Sequence, residues 1–268
     1  MSDSHRTITD AMDAERAAAL HVTLGLDGPA PRAGDVLPPL WHYAYFWEAV
    51  PQAGLGRDGH PRVGDFIPDL GFPRRMWAGG ELWFDGPIEL GKPAQKLTRI
   101  ERAEPKTGRS GAFALVTLSH EISQGGKVCL RETQSLFYRP EAVEAKGATP
   151  PQAASDETVC QSRGFTTTEL FRYSALTFNG HRIHYDRDYA GDVEGYPGLV
   201  VHGPILAQYL VHMGEAMLGK LSHFKFRATA PLFDFETAAF CARPDGDGVA
   251  LWVRGPDGRQ CMTATASA

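Results

Sequence analysis

Apolar and polar positions alternate with a period of two over residues 81–84, 96–102, 113–122 and 128–138, and again over 224–230, 235–242, 249–253 and 260–265. Broken by turn sequences such as Asp85-Gly86-Pro87, Gly125-Gly126 and Gly255-Pro256-Asp257-Gly258, this alternation predicts antiparallel strands joined by tight turns. Helical spacing is clearest over 199–218. There Val201, Ile205, Leu206, Tyr209, Leu210, Met213 and Met217 recur at intervals near three and four, with Pro204 suited to the first turn and Gly219 to the stop. Residues 7–24, rich in Ala and capped by Thr9 or Asp10, predict a second helix. The aromatic-dense segment 40–47 reads as core or interface, 55–80 as a long ordered loop, and 163–178 as a helix or strand leading into a polar stretch.

Each half of the chain thus has helical material first and antiparallel strands afterwards, an α+β arrangement. Two domains are expected, over 1–145 and 161–268. Between them lies a linker, 146–160, enriched in Ala, Pro, Glu and Gln and lacking apolar periodicity.

Composition narrows the functional classes. With 43% hydrophobic and 22% charged residues and a net charge of −5, the 268-residue chain is an ordinary globular one without the basic surplus of a nucleic-acid binder. No apolar run approaches the roughly 20 residues that span a bilayer, and the first residues lack the apolar core of a signal peptide. The cytoplasm is the expected compartment. Cys129, Cys160, Cys241 and Cys261 show no metal-ligand spacing and read as reduced thiols; no metal is expected.

Chemistry concentrates in Phe178-Asn179-Gly180-His181-Arg182-Ile183-His184-Tyr185-Asp186 and in Val201-His202-Gly203-Pro204. Imidazole titrates near neutrality without special tuning, which makes His184 the candidate general base for water. Asn179 orients that water, holds the His184 tautomer, or is a turn residue before Gly180. His181 is a second acid/base or a hydrogen-bond partner. Asp186 reads as a helix cap, and Arg163 and Arg182 as structural cations. At the start of the 199–218 helix, unpaired N–H groups near His202 and Gly203 offer a site for a thioester oxygen, the alternative being that Gly203 only permits tight packing. Arg74 and Arg75 are either a solvated pair or contacts for a carboxylate or phosphate.

Tyr173 to Ala190 and Val201 to Ala207 resemble the hydratase-2 motif of the MaoC-like, hydroxyacyl-thioester dehydratase type 2 enzymes. Ala175-Leu-Thr-Phe-Asn-Gly-His-Arg-Ile-His-Tyr-Asp186 carries most of the likeness. His42 to Val50 and Arg74 to Gly79 are similar to the N-terminal domain of bacterial mesaconyl-C4-CoA and itaconyl-CoA hydratases. The resemblance implies a double hot-dog, two antiparallel sheets each wrapped around a central helix, with 201–218 as the second of those helices. It places the family's catalytic His on His184, its Asp on Asn179 and its Asn-Pro on His181-Arg182. The function it implies is hydration of a short branched dicarboxylic enoyl-CoA, mesaconyl-C4-CoA or itaconyl-CoA, to citramalyl-CoA. An acyl-CoA thioester would be the only partner, with no cofactor beyond the CoA of the substrate, in a monomer or homodimer. Two other readings stay open: a 3-hydroxyacyl-ACP or -CoA dehydratase, and a non-catalytic acyl-CoA-binding protein.

Overall fold

A computed structural model describes residues 5–108, 111–140 and 149–268. The first half contains β1 (His5–Asp10), α1 (Ala14–Leu24), β2 (Arg74–Phe84), β3 (Ala94–Gly108), β4 (Gly111–Gln124) and β5 (Lys127–Arg139). The second contains β6 (Val159–Gly164), α2 (Thr167–Leu176), α3 (Gly203–Leu218), β7 (His223–Ala228), β8 (Thr237–Asp245), β9 (Gly248–Arg254) and β10 (Gln260–Ser267). All strands pair antiparallel in the order β1-β3-β4-β5-β2-β7-β10-β9-β8-β6, which reads the same outward from its centre in both directions once each strand is matched to its counterpart in the other half. The fold is the expected α+β double hot-dog, with its two five-stranded sheets fused edge to edge into one.

The fusion runs through β2 and β7, in register from Gly79 opposite Arg227 to Trp83 opposite His223. Gly79-Gly80 makes this joint. A Cβ on Gly79 would stand 2.5 Å from the Phe226 carbonyl oxygen, and one on Gly80 would stand 2.7 Å from the Phe226 ring. The backbones approach closely only because neither residue has a side chain. The alternation over 81–84 therefore marks the end of a longer strand whose beginning lies in the expected loop.

Residues 7–24 divide differently from the expected helix. Residues 5–10 pair with the outer edge of β3, and Met12 turns the chain with φ 55°. The cap is Asp13, whose side chain accepts from the Glu15 amide at 3.0 Å. Asp10 instead takes the amides of Met12 and Phe46 and the guanidinium of Arg16, so it fixes a corner. The alanines that favour helix lie from Ala11 onward, whereas His5–Asp10 contains two Thr and an Ile and no Ala, so the open edge of β3 takes these residues as a strand.

The two halves differ in what fills their concave faces. α3 lies across β7 to β10 and buries Ile205, Leu206, Leu210, Val211 and Met213. In the first half residues 25–73 hold only single turns at Trp41–Ala44 and Gln52–Gly54, so no long helix covers β3 to β5. Val63, Phe66, Ile67, Leu70 and Phe72 from the 48–73 segment pack on Ala114, Val116, Leu118, Leu136 and Tyr138 at one end of the sheet. The remaining space is a cavity. Residues 146–148 of the expected linker lie outside the described residues. Farther on, the Ala154 carbonyl accepts from Trp252 and Arg254, and Glu157 pairs with Arg254. Among the described residues no helix is long and apolar enough to cross a membrane.

Candidate active site

α2 starts at Thr166, whose hydroxyl accepts from the Glu169 amide, and ends in a sharp reversal. Phe178 takes φ 51°, the Asn179 amide returns to the Ser174 carbonyl at 2.8 Å, and Asn179 Oδ1 accepts from the His181 amide at 3.0 Å. Asn179 is therefore the turn residue, with its carbonyl oxygen committed. The following turn, Arg182–His184, is joined to the segment before α3 by two bonds. The Val200 amide donates to the Ile183 carbonyl at 2.9 Å, and His184 Nδ1 lies 2.7 Å from the Val200 carbonyl.

A carbonyl oxygen only accepts, so His184 carries its proton on Nδ1 and leaves Nε2 as the basic nitrogen. The tautomer is fixed by Val200 rather than by the Asn179 amide. Burial lowers the His184 pKa to about 4, against which the Val200 bond pulls upward. His202 stacks on His184 with ring centroids 3.7 Å apart and planes 17° from parallel, and is anchored by Ser174 Oγ at 2.8 Å from its Nε2. Burial holds His202 well below the usual imidazole range, with His184 and His181 adding to the effect. Two stacked rings at that distance stay neutral together. His181 meets His184 edge-on at 5.4 Å and is also pushed well down, by burial, then His184, then Arg75.

Sequence-distant residues complete the cluster. The 57–60 segment of the first half lies on the reversal, where the Arg182 amide donates to the Asp58 carbonyl at 2.9 Å. It brings the His60 ring to 4.7 Å from His181 and Asp58 close to both, the three offering ligand-type atoms within 4.8 Å of one another. Arg75 places positive charge beside Asp58, His60 and His181, a poor setting for a cation. Burial raises the Asp58 carboxyl and depresses His60. In the sequence Asp58-Gly59 carries only a turn signal, so nothing there links it to residues more than a hundred positions away.

Gly203 opens α3 and lines the cavity beside His184, while the His202 side chain lies wholly beneath the surface. A Cβ on Gly203 would meet the Trp77 ring at 2.7 Å, so the glycine is required for packing against β2. Its amide, as the first of the helix, has no acceptor within the helix. Arg74 is occupied, donating to the Glu194 carboxylate at 2.6 Å and its carbonyl at 3.0 Å. Arg75 lines the cavity, and its guanidinium makes no hydrogen bond or ion pair among the described residues. Asp186 caps Tyr189 at 3.0 Å and binds Arg182, and Arg163 binds Glu169 and the Leu24 carbonyl, all structural roles.

The cavity has a volume of about 1010 Å³ and runs from His181, His184 and Gly203 across the inward face of β3, β4 and β5. A neutral base with one fixed lone pair, lining the same cavity as a helix-start amide, suits proton transfer next to a carbonyl whose oxygen gains charge.

The sequence pattern of hydroxyacyl-thioester dehydratase type 2 matches residues 40–234. The chain is 41% identical over 260 residues to the mesaconyl-C(4)-CoA hydratase of Chloroflexus aurantiacus, a match covering 96% of this chain and 93% of that one. Among solved structures it is similar to HtdX of Mycobacterium tuberculosis, with TM-score 0.71 and 21% identity over 98% of this chain and 100% of that one. Another protein of that organism, described as a double hot-dog, matches with TM-score 0.61 and 13% identity over 98% of this chain and 95% of that one.

Proposed function

The chain belongs to the hydroxyacyl-thioester dehydratase type 2 family and is a hydro-lyase, and from that premise we propose that it hydrates a short branched dicarboxylic enoyl-CoA, mesaconyl-C4-CoA or itaconyl-CoA, to citramalyl-CoA. The observation that carries the chemistry is His184, neutral, buried and locked through Nδ1 to Val200 so that Nε2 is free to accept a proton. The likeness to the Chloroflexus hydratase supports the substrate class.

In the proposed reaction, written for mesaconyl-C4-CoA, whose double bond is conjugated with the thioester, Nε2 of His184 takes a proton from water as the water oxygen bonds to the β-carbon. The π electrons move toward the thioester, whose carbonyl oxygen becomes an enolate oxygen near the Gly203 amide. The proton then returns from the imidazolium to the α-carbon, so one water adds and no redox partner is needed. His202 supports the ring from below. The Asn179 Nδ2 group, its Oδ1 already committed, is assigned to hold the water. His181 extends the polar wall that orients that water, and Arg75 contacts a phosphate or carboxylate of the substrate. The only ligand required is the acyl-CoA thioester, in a cytoplasmic monomer or homodimer.

The test is to incubate the protein with mesaconyl-C4-CoA, itaconyl-CoA and crotonyl-CoA and follow loss of the enoyl absorbance. Turnover is expected with at least one, and His184→Ala should lower kcat by at least about a hundredfold while the fold persists. Retained binding of these thioesters with no turnover on any would assign the protein to the acyl-CoA-binding class instead. The reverse reaction, loss of water from a 3-hydroxyacyl thioester, uses the same groups in the opposite order and is read from the same assay started with citramalyl-CoA.

A further inference from the structure

β6 forms one edge of the ten-stranded sheet, paired with β8 alone among the described strands, and its residues are mostly exposed. Cys160 of β6 stands directly opposite Cys241 of β8, and Cys241 directly opposite Trp252 of β9, so the three side chains form a row on one face. That face is the outer one. Phe240 and Ala242, the neighbours of Cys241 along β8, belong to the main core with Ile205, Leu206 and Leu210 of α3, and successive side chains of a strand alternate. The 149–158 segment covers the row, its Ala154 carbonyl accepting from Trp252 Nε1 at 3.0 Å and its Glu157 pairing with Arg254. Cys241 is buried beneath it, while Cys160, at the sheet edge, stays exposed.

The two sulfurs lie 3.7 Å apart. Directly opposite residues of antiparallel strands have Cα atoms about 4.5–5.5 Å apart, inside the roughly 4.4–6.8 Å window of a disulfide, so an S–S bond closes here by side-chain rotation with the strands in place. The Glu157 carboxylate lies within 4.8 Å of both thiols, but Arg254 already holds it through two hydrogen bonds, which makes the trio a poor metal site. Cys129 and Cys261 are buried, and their sulfurs face backbone carbonyls instead.

We propose that Cys160 and Cys241 are a modification site, a dithiol that a low-molecular-weight disulfide such as oxidised glutathione converts to an intrachain disulfide fastening β6 to β8. The exposed Cys160 thiolate attacks one sulfur of the oxidant and releases one glutathione, leaving a mixed disulfide on Cys160. The Cys241 thiolate then attacks Cys160 Sγ, the bond between the two cysteines forms, and the second glutathione leaves. Two protein thiols thus give up two electrons and two protons, and the oxidant takes them. Burial, then the bond to Cys160, pushes the Cys241 thiol up, which makes Cys160 the attacking group and Cys241 the resolving one. In reducing surroundings the pair rests as thiols and closes only when the oxidant rises.

The consequence falls on the half that carries His184. An edge strand bonded on one side opens more readily than a central one, and β6 leads directly into Thr166, the cap of α2, and so into the reversal that holds Asn179 and His184. The bond closes a loop from 160 to 241 that contains α2, the reversal, α3 and β7. Neither cysteine lines the cavity, so the bond acts on stability rather than on the chemistry.

The experiment incubates the full chain with excess oxidised glutathione or with reduced glutathione, blocks free thiols by alkylation under denaturing conditions and maps the peptides without reduction. Oxidation should yield a peptide pair joining Cys160 to Cys241, lighter by two hydrogens than its parts, with Cys129 and Cys261 alkylated. The oxidised chain should show a Tm at least about 5 °C above the reduced one, a gain that dithiothreitol abolishes and that Cys160→Ser never shows. Cys241→Ala should stop at the glutathione adduct on Cys160. Wild type that keeps both thiols, or that carries only a glutathione adduct on Cys160, overturns the pair, as does a cross-linked chain with a Tm no higher than that of the reduced chain. Cys160→Ser alters an exposed position, so the comparison stands even if Cys241→Ala does not fold.

Discussion

At the scale of single residues, the fixed tautomer of His184 has a measurable consequence. A base must be unprotonated to work, and the pKa of about 4 keeps His184 in that form far below the 6.5 of an ordinary imidazole. With the enzyme held at pH 7.5 and diluted into assay buffer only at mixing, kcat/KM should stay level from pH 8 to about 5 and fall only as pH approaches 4. An acid limb centred near 6.5 would show that another histidine carries the proton. The sequence pointed to His184 because imidazole chemistry is a property of residue type. It left Asn179 ambiguous, because an amide can turn a chain with one atom and address a ligand with the other, and only the structure shows that Oδ1 goes to the His181 amide, leaving Nδ2 for the role proposed above. Thr98, His120 and Glu132 escaped for a different reason. They stand inside strands whose alternation reads as sound, and only the register lines them up as a buried polar row across β3, β4 and β5.

At the scale of elements, α3 is the one whose placement affects most of the site. Its extent was legible, since seven apolar residues at helical spacing and a glycine stop leave little latitude, whereas its contact with β2 was not. Gly203→Ala would place a methyl 2.7 Å from the Trp77 ring, and the ring must shift. We expect a loss of about 1–3 kcal/mol in urea unfolding, together with a fall in kcat from displacement of the amide to which the proposed function assigns the thioester oxygen. Combining it with Trp77→Leu should recover part of kcat by removing the clash. Unchanged unfolding and unchanged kcat in the single variant would contradict this packing. The strand β1 was misread as helix for a related reason: six residues with ordinary propensities follow whichever partner is available, and the β3 edge is available.

For the molecule as a whole, buried neutral histidines dominate the response to acid. Burial depresses His60, His120, His181, His184, His202 and His212 in the folded chain. Once unfolded, each binds a proton near pH 6.5, so the unfolded state gains protons first as pH falls. The stability these groups confer is complete above about pH 6.5 and drains away as pH drops toward their folded values. The urea midpoint should therefore decline steadily from pH 7 to 5, and a midpoint constant over that range would mean that these rings are protonated in place. The α+β class and the duplication were legible from the repeated order of elements. That the two sheets fuse through Gly79-Gly80 was not, because a glycine pair reads as a turn until a second strand is seen lying against it.

The unequal filling of the two halves also bears on how such a protein can change. α3 and the reversal that carries His184 belong to the second half, while the cavity occupies the volume over β3 to β5 that no long helix fills. On the proposed function the proton-transfer groups come from the second half, while the first half supplies the sheet face that forms one wall of the cavity, the two meeting where the Arg182 amide donates to the Asp58 carbonyl. A chimera that takes its first half from a relative, including its own 57–60 segment, should inherit that relative's acyl preference and keep the same hydration chemistry. Selection can then alter the substrate repeatedly while the proton-transfer apparatus is left alone.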